Sequence, residues 1–163
     1  MGLVAENGQE GVGMSLREQA AETPSLTPPF RLLIVTMGGR FFALDAESVR
    51  KLLTEDETGS GGVPQAEGVA YRSIDLANAL TLSRDGAGVN TRVVLLSENG
   101  SRGSIRVTCV HGLMNVHPSQ VLPLPSQFCG PERRWYRGMI LFEHSVAFIL
   151  HTSWILERKG LEA

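Results

Sequence analysis

Apolar positions along this chain fall mostly in short runs broken by glycine, proline and charged residues. "FRLLIVTM" and "RFFALD" flank Gly38-Gly39, the pattern of two β-strands turned at Met37-Gly38-Gly39-Arg40. In "AESVRKLL" the period changes. Ala46, Val49, Leu52 and Leu53 are spaced as on one face of a helix, which predicts a short helix or helical turn closing one end of a barrel. "TEDETGSGG" (Thr54 to Gly62), acidic and then rich in Gly and Ser, reads as an exposed loop.

Downstream, the pattern predicts a short extended segment at Val63, a strand around Val69 to Ile74, and a helix from Asp75 or Leu76 to Leu80. A loop, "SRDGAGVN", then leads into "TRVVLLSENGSRGSIRVTCVHGLMNV", in which Asn99-Gly100 turns one strand back on the next. Pro118, Pro123 and Pro125 exclude a helix or a central strand in "HPSQVLPLP". The closing pattern is a hairpin, "RGMILFEHSVAFIL", followed by a helix, "HTSWILERK", in which Thr152 or Ser153 is placed to cap a free N–H. Many short strands with few helices predict a mainly β protein built from small barrels.

Residues 1–29 are rich in Gly, Glu, Gln, Ala and Pro, too polar to offset their ordering entropy, and are expected to form a flexible tail. Met14 to Glu22 could form at most a marginal helix there. The ordered domain is expected over 30–158, with a short C-terminal tail at 159–163.

Composition narrows the function classes. Hydrophobic residues make up 42% and charged residues 20% of the 163, enough for a core in a globular protein. A net charge of −2 provides no broad basic face, which argues against nucleic acid as a partner. No apolar run reaches the length of a membrane span, and the N-terminus has no secretory pattern, so no direct membrane insertion and a cytoplasmic location are expected. Cys109 and Cys129 make neither a disulfide framework nor a zinc spacing, and no cofactor is implied.

Candidate chemistry is sparse. Glu143 and His144 fall where the last hairpin must reverse, which makes them a turn, not an acid and base in a pocket. Cys109 and His111 share a strand face, with His117 nearby, but a fourth metal ligand and an orienting third group are missing. "GSGG" lacks the Lys-Ser/Thr of a phosphate-binding loop. Arg133, Arg134 and Arg137 surround Trp135 and Tyr136, for which a protein contact or solvated role for the arginines, with one aromatic anchored in the core, fits the net charge better than base stacking.

Taken in order, these segments resemble the CheW-like family, the adaptor domains of bacterial chemosensory arrays. "RLLIVTMGGRFFALDAESVRKLL" is similar to that family's first hairpin and its "V-x-E-I" box, and "RSIDLANAL" to its "P-V-I-D-L" segment, with Asp75 and Leu76 matching. "GSIRVTCVHGLMNVHPSQVLPLP" resembles the "V-D-x-V-x-x-V" strand and proline-bearing loop. "WYRGMILFEHSVAFILHTSWIL" resembles the closing hairpin and helix, with Gly138 as its glycine. The resemblance runs from residue 30 to about 157. It implies two intertwined five-stranded SH3-like barrels and a non-catalytic coupler joining a histidine kinase's regulatory domain to methyl-accepting receptors.

Several positions depart from the family pattern. The box reads Val49-Arg50-Lys51-Leu52, so Lys51 replaces its glutamate, and a charge reversal at an interface redirects partner choice. "EGVAYRSIDL" keeps Gly68 and the Asp-Leu ending but lacks the "N-L-R-G" turn, and Arg72 does not align with that motif's arginine. Thr108 stands for the aspartate of "V-D-x-V", and Thr152 for the last aspartate. The expected partner-binding residues are Val49, Lys51 and Leu52, with Gly68 allowing close backbone approach. Two other readings remain: a scaffold of a pilus-motility or other signalling assembly without a classical receptor, and a small barrel enzyme or ligand binder using Cys109, His111 and Arg134.

Overall fold

The computed structural model describes residues 29–58, 63–83 and 88–157. The expected tails, the Met14 to Glu22 helix, and parts of the two Gly-rich loops lie outside them.

The strands are β1 (Phe30–Met37), β2 (Arg40–Asp45), β3 (Val49–Thr54), β4 (Gln65–Ala66), β5 (Val69–Ala70), β6 (Arg92–Glu98), β7 (Ser101–Val107), β8 (Cys109–Val116), β9 (Tyr136–Phe142) and β10 (Ser145–Leu150). Among the described residues three short α-helices join them: α1 (Glu55–Thr58), α2 (Leu76–Ala79) and α3 (Thr152–Glu157). Five strands form one sheet in the order β9-β10-β2-β1-β8, three form a second in the order β3-β6-β7, and β4-β5 make a separate ribbon. The first sheet takes strands from both ends of the chain, β10 lying parallel to β2 with Phe148 beside Phe42. Its outer strands approach through the chain beyond β8, where the Leu122 and Met139 backbones exchange bonds of 2.7 and 2.9 Å.

The two halves are threaded through each other. One core lies between the sheets, with Leu33, Val35, Phe42 and Leu44 facing Val94, Leu96, Ile105 and Val107, and with Ile155 and Leu156 of α3 sealing one side. A second core, including Leu32, Ile34, Ala43, Ile140 and Ile149, fills the other face of the five-stranded sheet. A third, of Leu53, Tyr71, Val93 and Leu95, lies on the far face of the three-stranded sheet with Ala66 and Val69 of the ribbon packed on it. The mainly β fold class expected from the sequence is the one observed.

Both glycine hairpins form as expected, at Gly38-Gly39 and Asn99-Gly100. Glu143 and His144 turn the last one with φ of +48° and +62°, the positive values that a tight two-residue turn of this hand requires.

The helix expected over "AESVRKLL" is instead a single 3-10 turn, Ala46–Ser48, followed by β3. A β-bulge explains the misleading spacing. Val49 pairs with Leu96 and Lys51 with Leu95, so Arg50 is an extra residue, and Val49 and Leu52 reach one face at a helix-like interval of three. The expected loop after β3 begins with α1, closed by a capping box: Glu57 N–H donates to Thr54 Oγ1 (3.3 Å) and Thr54 N–H to Glu57 Oε1 (2.8 Å). The strand expected over Val69 to Ile74 is reduced to β5 and one parallel bridge, Ser73 with Ser104. α2 stands where expected, with Asp75 accepting from Asn78 N–H at 3.2 Å.

Thr152 is not a cap. α3 begins with Ile155 N–H donating to the carbonyl of His151 at 3.2 Å, one residue earlier than a threonine cap requires, and the Thr152 hydroxyl is buried with no partner among the described residues.

Candidate functional site

Among the described residues no strand pairs with the outer edge of β3, while β7, the opposite edge of the sheet, is covered by the chain at 72–74 through Ser104 N–H to Arg72 O (2.7 Å) and Ile74 N–H to Ser104 O (2.9 Å). A free edge presents unpaired backbone groups, and cations along it discourage indiscriminate strand pairing. Here those cations are Arg50 and Lys51, both exposed.

The four expected contact residues fall on different parts of this half. Val49 and Leu52 pair with Leu96 and Val94 and lie on the face towards the central core; Leu52 keeps 38% of its surface exposed, an apolar contact available at the edge. Lys51 pairs with Leu95 and takes the opposite face, with Leu53 and the β4-β5 ribbon. Gly68 is in the ribbon's turn behind Glu67, with φ of +78° and +53° respectively. Apart from the glycine itself and its chain neighbours, no atom of the described residues lies within 4 Å of where a Gly68 Cβ would stand, so this glycine supplies the turn's positive φ, not a close approach. The structure therefore places Lys51 on the ribbon's side of the sheet and Val49 with Leu52 on the other, all along one exposed edge.

Local charge also accounts for a lysine at 51. The capping-box bond to Thr54 N–H holds the Glu57 carboxyl below its ordinary range, and the positive charges of Lys51 and Arg92 act in the same direction. Arg106 engages the neighbouring Glu55 through Nε and Nη2 at 2.7 and 3.1 Å. The acidic turn "EDET" is thus surrounded by Lys51, Arg92 and Arg106, and a glutamate at 51 would add to that acid.

Of the residues of the rival chemistry, His111 is held by structural contacts. His111 is the bulged residue of β8; its Nε2 lies 2.6 Å from Thr36 Oγ1, and its ring meets Phe41 and Phe142 at 5.3 and 5.7 Å. Cys109 pairs with Thr36 on the same face, and no group of three His, Cys, Asp or Glu side chains among the described residues is placed to hold a metal ion. Arg134 is exposed on a 3-10 turn, Pro131–Arg134, and Arg133 donates to Phe128 O at 2.6 Å. Trp135 stacks on Trp154 at 5.3 Å, which joins this turn to α3. No helix among the described residues is long and apolar enough to cross a membrane.

The comparisons with known proteins agree with this geometry. The sequence matches the CheW-like domain over residues 31–160. The chain belongs to the CheW-like family. Its fold is similar to the crystal structure of the scaffolding protein TtCheW from Thermoanaerobacter tengcongensis, with a TM-score of 0.67 and 17% identity over 83% of this chain and 97% of that one. At that identity the likeness is one of fold. No curated protein matches the sequence. The CheW-like family is one of chemotaxis scaffolds and adaptors.

Some features of the site escaped the sequence. The bulge at Arg50 decides which side chains share a face, and nothing in "SVRKLL" marks it. The capping box did leave a signal, Thr54-x-x-Glu57, hidden inside a stretch that composition makes look like loop. Arg72, which matches no motif arginine, donates through Nη2 to the Leu156 carbonyl and so acts inside the domain.

Proposed function

We propose that this protein is a non-catalytic cytoplasmic adaptor of a chemosensory complex. It couples the regulatory domain of a histidine kinase to methyl-accepting receptors and has altered contact surfaces. The match to the CheW-like domain across nearly all the described chain carries this reading.

The β3 edge supports the kinase side of it. The exposed Leu52 and the half-buried Val49 offer apolar contact, and Lys51 stands beside them as the charge that selects the partner. On the receptor side, the ribbon is only two residues per strand, so the surface that a longer central hairpin would supply is small. A kinase contact with retuned charge and a reduced receptor contact follow from this arrangement.

Calorimetry with the regulatory domain of the candidate kinase tests the proposal, using the native chain and Lys51→Glu. Binding that the variant changes is the expected result. A native chain that is folded by circular dichroism yet binds no such domain removes the adaptor reading.

A further inference from the structure

The bulge in β3 has a second effect besides shifting register. Val49 faces the central core, so Arg50, the next residue, faces the other side of the sheet; the extra residue then returns Lys51 to that same side, opposite Leu95. Two consecutive cations therefore project from one face. Across β6 on that face, Arg102 of β7 pairs with Ser97, two residues along from Leu95. All three basic side chains are exposed. Two strand spacings, about 10 Å, separate β3 from β7, about one screening length at physiological salt, so their fields overlap.

Among the described residues, the acid carried by the ribbon on that face is Glu67, exposed in its turn, and the acids of the strands lie elsewhere. Glu98, the acid of β6, lies on the opposite face and accepts from Ser48 Oγ at 2.9 Å. Glu55 is engaged by Arg106 at the far end of the strands, and Glu57, which feels Lys51, belongs to the same end. Arg50 and Arg102 make no hydrogen bond or ion pair with any described residue.

We infer that Arg50, Lys51 and Arg102 form one electropositive docking face, whose occupant is an acidic strand or loop of the kinase regulatory domain. This rests on the adaptor reading and adds to it a contact residue outside the family's box, Arg102, and the sign of the partner's surface. A protein segment fits better than a nucleic acid, because three cations on a chain of net charge −2 give a local patch and no extended track for a phosphate backbone.

The test is association kinetics of the full chain with the regulatory domain of the candidate kinase, at about 0.05 and about 0.5 M salt, where screening is weak and then nearly complete. Arg102→Glu is the decisive variant, with Arg50→Glu beside it; Arg31→Glu, on the other sheet, is the charge control. A patch of this kind predicts a native on-rate about tenfold faster at low salt, and a loss of about that factor in Arg102→Glu but not in Arg31→Glu. Native binding with a salt-independent on-rate and an unaffected Arg102→Glu overturns the docking face while leaving the adaptor reading standing. Absence of native binding removes both. Tighter binding to a duplex oligonucleotide than to the regulatory domain also overturns the proposal, in favour of a nucleic-acid surface.

Discussion

The Arg72 guanidinium donates through Nη2 to the carbonyl of Leu156, tying the middle of the chain to the last turn of the C-terminal helix α3. That carbonyl is one of those a helix end leaves without an internal partner, and a cation there also meets the negative end of the helix. Arg72→Ala is expected to lower stability by about 1.5–3 kcal/mol, the range for a hydrogen bond to a charged group. Urea unfolding checks it. An unchanged midpoint would mean that α3 is held by its apolar face alone.

Gly138 marks a place where two backbones meet. A Cβ there would stand 2.7 Å from Leu122 O and 2.7 Å from Val121 Cγ1, and the carbonyl cannot rotate away because Leu122 is bonded to Met139. Gly138→Ala is expected to cost about 1–3 kcal/mol through overpacking and to loosen the contact between β9 and the chain beyond β8. Hydrogen exchange at Leu122 and Met139 N–H would show the loosening directly.

Thr152 provides a prediction in the unusual direction. Its hydroxyl is buried with no partner among the described residues, so replacing it with a methyl removes an unpaired polar group at almost constant volume. Thr152→Val is expected to raise stability by about 1 kcal/mol. A fall in melting temperature would mean that the hydroxyl is hydrogen-bonded in the folded protein.

His151 gives the protein a pH dependence. Partial burial and the charge of Arg137 hold its pKa below the ordinary 6.5, while Glu98 acts in the opposite direction. The unfolded chain therefore takes up the proton first. Stability is at its full value above about pH 6.5 and declines as the pH falls from there through the lowered folded value. Melting temperatures between neutral and mildly acidic pH should show this decline, and His151→Gln should flatten it.

What the sequence made legible were the elements whose cause is local. Gly38-Gly39, Asn99-Gly100 and the reversal at Glu143-His144 announce their turns, and Asp75 announces a helix start. What it concealed depends on partners distant in sequence. The bulges at Arg50, His111 and Arg137 exist only against the facing strands, and each places an exposed basic side chain where alternation alone would mislead. The expected contact residues were legible as a stretch of chain. Their division between two faces of β3, and the nearness of Arg102, were not, because both follow from the register with β6 and β7.

The parallel pairing of Phe42 with Phe148 makes the second strand wait for the tenth. Roughly 100 residues separate them, so a chain emerging from the ribosome exposes one edge of its first hairpin until the whole intervening stretch has been made. During that interval the same hairpin is open to mispairing with strands of neighbouring nascent chains. Synthesis rate and chaperone supply should therefore bear on the yield of this domain alongside the stability of the finished fold.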